Sequence, residues 1–342
     1  MRSNVTAAVI EARTLGRSEV TAPRVALGCG NFGGVGSSPE FFGRGLDEAA
    51  AFAVMDAAWE LGINHFDTAD AYGGGRSETT IGNWIRSRGQ LPLLTTKTYN
   101  PMAVGADHGL APERMTRQLH ASLARLGVER VDLYLTHEFD PDVAPAAVVA
   151  TLERFRDEGL IGAVGVSNYD AAQLRATLDA GPLDAIQNSY SLLARGDEAE
   201  VLPLCEKEGI GQIVFSPIAQ GVLTGKYLPG SAAPEGSRAT DAGGSRFIKG
   251  YLTDDILGRV QQLKPVADEA GLSLAQLAIA WTLQNPNVSA AIVGATRPEQ
   301  VRDNVKASGV TLEESVMRSI DDILGPVIVT DPAMTASPRS RS

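Results

Sequence analysis

Four titratable side chains of different types lie at or just after the ends of predicted strands. Asp67 and Tyr72 are five residues apart in NHFDTADAYGGG (residues 64–75), Lys97 ends LLTTK, and His137 ends VDLYLTH. A phenol near a lysine and a carboxylate can exchange a proton with a substrate, whereas a lysine on a barrel strand can form an imine with a carbonyl. Each residue alone has an ordinary structural explanation. Only their common position favours a shared site.

The elements that must position these side chains alternate along the chain. Short β-branched runs are followed by amphipathic segments that open after Asp, Ser or Pro and end at Gly, which is typical of βαβ units. The predicted strands cover residues 25–27, 64–68, 93–97, 131–137, 163–167, 185–188, 212–216 and 290–293. The predicted helices cover residues 47–61, 78–87, 112–126, 145–158, 171–178, 198–208, 274–283 and 298–307, with extra helices at 254–270 and 312–324. This count favours an α/β fold of the closed (β/α)8 TIM barrel type, in which chemistry occurs at the carboxyl ends of the strands.

Length and composition are compatible with one large domain. We expect a single domain over residues 1–342, with a core from about 20 to 325 and a polar, proline-broken mobile tail at 330–342. A hydrophobic content of 44% allows a large buried core. The net charge of -11 argues against nucleic-acid partners and anionic membrane surfaces, which clustered Lys and Arg would bind.

The sequence also allows predictions about the cellular location of the protein and about metal binding. Glu11 and Arg13 interrupt any apolar signal-peptide core, and no apolar run is long enough to cross a membrane, so we expect a cytoplasmic protein. Cys29 and Cys205 fit reduced core thiols. The four histidines have no ligand spacing, so we expect no metal site.

The stretch GCGNFG (residues 28–33) has the spacing of a dinucleotide-binding fingerprint. That motif requires a helix to begin at once, but the chain continues GVGSSPEFFG, so a glycine-rich strand end beside a ligand is the preferred interpretation. Two connections, 32–46 and 220–250, are too long for plain loops and predict functional lids or flexible segments.

From about residue 25 to 325 the chain resembles the aldo-keto reductase superfamily, and within it the branch of potassium-channel beta subunits and general stress proteins. The matching stretches are LGCGNFG, GINHFDTADAYGGGRSE, TTK, DLYLTHEFDP, GAVGVSNY, IQNSYSLLAR, FSPIAQGVLTGKY, GSRA, AIAWTLQNP and IVGATRPEQVRDN. The resemblance implies a TIM barrel with an N-terminal β-hairpin and extra C-terminal helices. It also implies an NADPH-dependent oxidoreductase that reduces an aldehyde or ketone, which could be a keto-sugar, to the alcohol.

The same resemblance makes Asp67, Tyr72, Lys97 and His137 a catalytic tetrad. Tyr72 would be the proton donor, because hydride transfer to a carbonyl carbon leaves charge on oxygen. We expect Lys97 to lower the phenol pKa, Asp67 to keep Lys97 charged and placed, and His137 to orient the carbonyl.

Cofactor contacts with NADPH/NADP+ are also implied. Phe215 would stack on the nicotinamide, and Arg246 competes with Arg238 for the pyrophosphate. Arg297, beside a predicted helix start, suits a 2′-phosphate, which favours NADPH over NADH. The full set of matching positions is Asn31, Phe32, Ser167, Asn168, Gln187, Phe215, Ser216, Pro217, Ile218, Ala219, Gln220, Gly221, Lys226, Arg238, Gly294, Thr296, Arg297, Gln300, Asp303 and Asn304.

Two other functions stay open at this point. A Schiff-base lyase could use Lys97, and some members of the superfamily act mainly as cofactor-sensing subunits with little turnover. The sequence leaves the small-molecule substrate and the oligomeric state undetermined. The pair Phe41 and Phe42, with the loops 99–110 and 220–250, predicts an aromatic-rich entrance suited to small aldehydes, ketones or a keto-sugar.

Overall fold

Ten strands organise the computed structural model, which describes residues 10–241 and 244–335. An antiparallel hairpin comes first, formed by β1 (Ala12–Thr14) and β2 (Thr21–Pro23). Eight parallel strands then close a barrel in the order β10-β3-β4-β5-β6-β7-β8-β9. They are β3 (Val25–Gly28), β4 (His65–Asp67), β5 (Leu93–Thr98), β6 (Val131–Thr136), β7 (Ile161–Ser167), β8 (Ala185–Ser189), β9 (Gly211–Phe215) and β10 (Val288–Gly294). The predicted (β/α)8 barrel and its hairpin are confirmed.

Helices surround the barrel and extend beyond it. They are α1 (Glu48–Glu60), α2 (Arg76–Arg88), α3 (Pro112–Leu126), α4 (Pro145–Asp157), α5 (Ala171–Leu178), α6 (Val201–Glu208), α7 (Ser245–Ile248), α8 (Asp254–Gln262), α9 (Lys264–Glu269), α10 (Leu274–Gln284), α11 (Pro298–Asn304), α12 (Glu314–Leu324) and α13 (Pro332–Thr335). The helix predicted at 254–270 is two helices, because Pro265 lacks the N–H that a continuous helix would use. Residues 336–342 of the predicted mobile tail lie outside the described residues.

Local sequence signals explain where several helices begin and end. Asp47 accepts a hydrogen bond from the Ala50 N–H at 2.9 Å and caps α1. Reciprocal capping boxes, Asp170 with Gln173 and Ser273 with Gln276, begin α5 and α10.

The hairpin closes the amino end of the barrel, opposite the predicted site. Leu15 and Ala22 are fully buried in the same apolar cluster as Leu133 and Ile213 from the strands. Gly16 has a left-handed φ of +53°, and a Cβ there would lie 2.3 Å from the Asp184 carbonyl oxygen, so only glycine fits. The hairpin therefore packs closely against the amino end of the barrel.

A second apolar layer joins the strands to the helices. Phe66 of β4 and Trp84 of α2 pack edge to face, with ring centroids 5.3 Å apart.

The described residues contain no helix long and apolar enough to span a membrane.

Helices α2 and α3 approach so closely at Gly82 that no side chain fits. A Cβ at Gly82 would lie 2.3 Å from the Arg125 carbonyl oxygen and 2.8 Å from that of Leu126. We expect Gly82→Ala to lower the free energy of unfolding by about 1–3 kcal/mol, because backbone must move apart. The measurement is the shift of the urea midpoint.

Gly258 in α8 provides the matched control. Its Cβ would meet only Pro229 Cγ at 3.9 Å, so Gly258→Ala should be neutral or add up to about 1 kcal/mol through helix propensity. Equal midpoints for the two variants would contradict the close-contact explanation.

Candidate active site

A buried ion pair connects the ends of two neighbouring strands. Asp67 ends β4, and Lys97 is the next-to-last residue of β5. The Lys97 ammonium donates to Asp67 Oδ1 at 2.6 Å and to the Thr68 carbonyl oxygen at 2.7 Å. Gln187 Nε2 donates to the other carboxylate oxygen of Asp67 at 2.7 Å. The lysine is fully buried, which lowers its pKa, but the charge of Asp67 and the hydrogen bonds with Asp67 and Tyr72 raise the pKa more, so the ammonium stays protonated.

A turn formed by three glycines follows Tyr72 and allows its ring to lie next to the Lys97–Asp67 pair. Lys97 Nζ lies 5.2 Å from the centroid of the Tyr72 ring. Gly73, Gly74 and Gly75 have φ values of +61°, +65° and +89°, which glycine adopts without strain.

Burial raises the phenol pKa of Tyr72, although Lys97 lowers it in the predicted direction. Burial of Tyr72, together with the nearby charge of Asp67, outweighs the charge and the hydrogen bond of Lys97, which lower the pKa. Tyr72 is therefore protonated, the form that a proton donor needs.

His137 completes the group at the end of β6. Its ring lies edge to face with the Tyr72 ring, with centroids 5.4 Å apart, and the backbone N–H of His137 donates to the Thr98 carbonyl oxygen at 2.9 Å. Burial, with a contribution from Lys97, lowers the imidazole pKa well below its ordinary value. A neutral imidazole can donate a hydrogen bond to a substrate oxygen without adding charge.

A polar network beneath the site fixes the strand ends. The Thr98 hydroxyl donates to Asp70 Oδ2 at 2.7 Å and accepts from Arg114 at 3.0 Å, and Arg114 also bonds the Asn100 carbonyl oxygen at 2.8 Å. The Asp70 N–H bonds the Lys97 carbonyl oxygen at 2.9 Å. Asp70 thus connects the segment between Asp67 and Tyr72 to the residue after Lys97.

A cavity of about 600 Å³ opens beside Tyr72 and His137 along the carboxyl ends of the strands. Ser167, Asn168, Gln187 and Phe215, the residues that the family resemblance assigns to nicotinamide contacts, line it. Asn168 Nδ2 donates to the His137 carbonyl oxygen at 3.0 Å and to Ser167 Oγ at 3.2 Å. Its Oδ1 is buried without a hydrogen-bond partner among the described residues, which leaves an acceptor for a ligand amide.

The wall after β9 is conformationally strained. Ser216, Ala219 and Gln220 have left-handed φ values of +58°, +45° and +58°, which are costly for residues other than glycine. Arg238 donates to Gln220 Oε1, and Gln220 donates to Ser216 Oγ, so one chain of hydrogen bonds holds the wall.

Two arginines of the long loop after β9 have different positions. Arg238 lines the cavity together with Lys226. Arg246 instead bonds Glu40 at 2.8 Å and Ser38 on the loop after β3, and its guanidinium lies 5.0 Å from the Phe41 ring centroid. Arg246 therefore joins the two long loops, and Arg238 is the better candidate for a pyrophosphate contact.

The remaining predicted positions divide into two groups. Within the described residues, the cavity wall includes Asn31, Pro217, Ile218, Gly221, Gly294, Thr296, Arg297 and Gln300. Four predicted positions are not part of the cavity wall that the described residues form: Phe32, Ala219, Asp303 and Asn304. Asp303 accepts from Gln276 Nε2 at 2.7 Å, so its carboxylate faces α10.

Sequence reasoning missed several polar residues near the tetrad. Glu138, Asn100, Ser37 and Ser38 also line the cavity. The adjacency of Glu138 to His137 in LTHEFD was the available signal.

The predicted entrance is only partly confirmed, because all three predicted loops contribute residues to the cavity wall but the Phe41–Phe42 pair does not. Phe41 and Phe42 do not belong to the cavity wall that the described residues form. Phe42 covers Gly74, where a Cβ would meet its ring at 2.8 Å, and Phe41 is flanked by Arg44 and Arg246.

The barrel places Tyr, Lys, Asp and His together at its carboxyl end, beside a cavity that follows several strands. This combination defines a class of barrel oxidoreductases. A model described as the aldo/keto reductase family matches residues 24–324. The chain belongs to this family.

Similar proteins include enzymes and channel subunits. A probable voltage-gated potassium channel subunit beta from Arabidopsis thaliana is 36% identical over 295 residues, covering 83% of this chain and 90% of the relative. The NADH-specific methylglyoxal reductase of Escherichia coli (strain K12) is 34% identical over 334 residues, covering 91% and 98%.

Solved structures agree with the fold. An aldo-keto reductase from Bacillus halodurans in its holo form gives a TM-score of 0.75 at 25% identity, covering 92% of this chain and 96% of that one. A glycerol dehydrogenase from Gluconobacter oxydans gives 0.79 at 26% identity, covering 97% and 98%.

Asp70 should make stability depend on pH. Burial, then the charge of Glu78, raises its pKa to about 7, with Thr98, Arg114 and Arg125 opposing. Unfolded carboxyls ionise near pH 4, so the folded chain holds an extra proton between about pH 4 and 7, and stability falls as pH rises through that window. We expect Asp70→Asn to gain up to about 4 kcal/mol relative to the wild type between pH 4 and pH 8.

Urea unfolding at both pH values measures this difference. Glu129→Gln, which replaces an exposed carboxylate, is the control and should follow the wild type. Parallel pH curves for Asp70→Asn and the wild type would contradict the prediction.

Proposed function

We propose that this protein is an NADPH-dependent oxidoreductase that reduces a small aldehyde or ketone to the alcohol. The observation that carries the proposal is the position of Tyr72, a protonated phenol on the cavity wall between the Lys97–Asp67 pair and His137. Family membership supports oxidoreductase chemistry. The finer assignments, NADPH and the carbonyl class, rest on the side chains below.

The cavity residues fit a nicotinamide dinucleotide. Asn168 Oδ1 and Asn31 Oδ1 are buried acceptors without partners among the described residues, and Asn168 would hold the carboxamide together with Ser167. Phe215 would stack on the ring. The strained wall at 216–221, with Lys226 and Arg238, would hold the pyrophosphate through backbone amides and positive charge. When bound, this cofactor supplies a hydride to the carbonyl carbon.

The chain itself supplies the proton and the electrostatic environment. His137 donates a hydrogen bond that orients the carbonyl oxygen, and Tyr72 gives its proton to that oxygen as negative charge develops there. The Lys97 ammonium, held by Asp67, stabilises the phenolate that remains. In alcohol oxidation the same phenolate accepts the proton.

Arg297 supports the preference for NADPH. Its guanidinium is exposed at the cavity wall beside Thr296 and Gln300, which are hydrogen-bonded to each other at 3.1 Å. Arginine is well suited to a phosphate monoester because it can donate two parallel hydrogen bonds. The Escherichia coli relative is named as NADH-specific, so the test must compare both cofactors.

The two rival functions have less support. Lys97 is fully buried, donates to Asp67 and Thr68, and has a raised pKa, so it is a poor imine-forming nucleophile. The similarity to potassium-channel beta subunits keeps a cofactor-sensing role as the second candidate. Tight NADPH binding with no turnover across a broad carbonyl panel would favour that role.

Removal of the Tyr72 hydroxyl tests the proposed function. We expect Tyr72→Phe to cut turnover by about two or more orders of magnitude, because the proton donor is lost. NADPH binding, followed by quenching of protein fluorescence, should change little. A fully active variant would disprove the role of Tyr72.

Removal of the Arg297 charge tests the cofactor preference. We expect Arg297→Leu to weaken NADPH binding by about tenfold, on the scale of one charged hydrogen bond, and to leave NADH binding nearly unchanged. Fluorescence titration with both cofactors measures this difference. The same loss for NADH would show that Arg297 contacts something other than the 2′-phosphate.

A further inference from the structure

The turn that follows Tyr72 has no side chains of its own to hold its shape. Gly73, Gly74 and Gly75 all have left-handed φ values, and glycine changes backbone conformation at little cost. The Tyr72 ring must nevertheless stay beside Lys97, whose Nζ lies 5.2 Å from its centroid. The position of the phenol therefore depends on the groups that pack against this turn from outside.

The loop after β3 supplies several of those groups. The Gly73 N–H donates to the Gly36 carbonyl oxygen at 3.2 Å. Phe42 covers the next residue of the turn, because a Cβ on Gly74 would lie 2.8 Å from two ring carbons of Phe42. The loop thus bears directly on the turn that carries Tyr72.

A short 3-10 helix, Pro39–Phe41, makes the outer part of this loop one unit. The Phe42 N–H bonds the Pro39 carbonyl oxygen at 3.3 Å and closes the helix. Glu40 lies in the middle of this helix, and Ser38 comes directly before it. A displacement of Glu40 or Ser38 therefore also moves Phe42, because all three belong to one hydrogen-bonded turn.

Arg246 holds this unit from the loop after β9. Its guanidinium donates to Glu40 Oε1 at 2.8 Å and to Ser38 Oγ, and it lies 5.0 Å from the Phe41 ring centroid. Arg246 is not part of the cavity wall that the described residues form. Its contacts therefore act on the loop after β3 and not on a ligand in the cavity.

The helix that carries Arg246 packs against the cofactor side of the cavity. A Cβ on Gly244, at the start of α7, would lie 2.7 Å from Cγ of the cavity-lining Arg238. One run of contacts thus leads from the proposed pyrophosphate residue, through α7, to the turn that carries Tyr72.

Building on the proposed function, we propose that Arg246 is a positioning residue for the proton donor. By holding Glu40 and Ser38, it keeps Phe42 against the glycine turn and so fixes the Tyr72 phenol where the substrate oxygen arrives. Arg246 itself exchanges no proton. The rate of the chemical step should depend on it more than cofactor affinity does, because small displacements of a reacting group slow a reaction strongly.

The test measures the chemical step in a single turnover. Enzyme already saturated with NADPH is mixed rapidly with propionaldehyde, and the loss of NADPH absorbance is followed, which separates chemistry from product release. We expect Arg246→Leu to slow this step about 5- to 20-fold, on the scale of one partly exposed ion pair together with a cation–π contact. The dissociation constant of NADPH, from fluorescence quenching, should change less than about threefold, since Arg246 lies outside the described cavity wall.

A double-mutant cycle tests whether the effect passes through the turn. Phe42→Ala removes the contact over Gly74 and should also slow the single turnover. In that background, Arg246→Leu should slow it less than about twofold further, because the connection is already broken. Independent effects that multiply in the double variant would contradict the proposal. Arg246→Lys keeps a charge for Glu40 and should recover part of the rate.

Arg44 provides the matched control. It is an exposed arginine whose guanidinium lies 5.4 Å from the same Phe41 ring centroid, but among the described residues it forms no ion pair with Glu40. Arg44→Leu should keep the single-turnover rate within about twofold of the wild type. Equal slowing by Arg44→Leu and Arg246→Leu would overturn a specific role for Arg246.

The outcomes separate this inference from the proposed function. If Arg246→Leu changes NADPH dissociation and leaves the single-turnover rate unchanged, Arg246 only retains the cofactor, and the positioning role is wrong while the reductase function stands. If the wild type is folded and binds NADPH but reduces neither propionaldehyde nor any other carbonyl of a broad panel, both proposals are contradicted.

Discussion

The buried pair of Lys97 and Asp67 is the interaction on which the site depends. Transfer of two charged groups into a protein interior costs several kcal/mol for each ion, and the loss is recovered only when geometry and hydrogen bonding are good. Here the ammonium has two acceptors at 2.6 and 2.7 Å, and the carboxylate has Gln187 as a second donor. These contacts require three strands, β4, β5 and β8, in register, so the barrel itself is what makes the charged pair tolerable.

The rest of the cavity follows from that arrangement. At Tyr72 the effect of burial outweighs that of the Lys97 ammonium, which explains why a phenol beside a lysine stays protonated in this structure. Strain is concentrated elsewhere, in the left-handed residues between 216 and 220, where the backbone forms the wall.

Much of this could be read from the sequence because parallel strands place their carboxyl ends on one face. The eight strands followed from β-branched runs between glycines, and Asp67, Lys97 and His137 followed from their positions at strand ends. Pro265 is a sequence signal for the break between α8 and α9. The periodicity of residues 254–270 nevertheless predicted one helix.

Features set by tertiary packing could not be predicted in the same way. The orientation of Phe42 depends on the space over Gly74, and the direction of the Tyr72 pKa depends on the balance between burial and one shared ammonium. Asp303 matches a family position, yet its carboxylate faces the capping residues of α10. Sequence similarity shows which residue types stand at matching positions. The hydrogen-bond partners of each side chain depend on the whole fold.

Closure of the barrel between its first and last strands has a consequence for biosynthesis. Val25 of β3 pairs with Ala291 of β10, and Asn31 donates to the Ala295 carbonyl oxygen at 2.9 Å. At ribosomal rates of about 5–20 residues per second, the intervening chain takes roughly tens of seconds to synthesise. During that time β3 has one edge without its partner, a state open to wrong pairing. The nascent chain can therefore bind no dinucleotide in its finished cavity until almost the whole protein has left the ribosome.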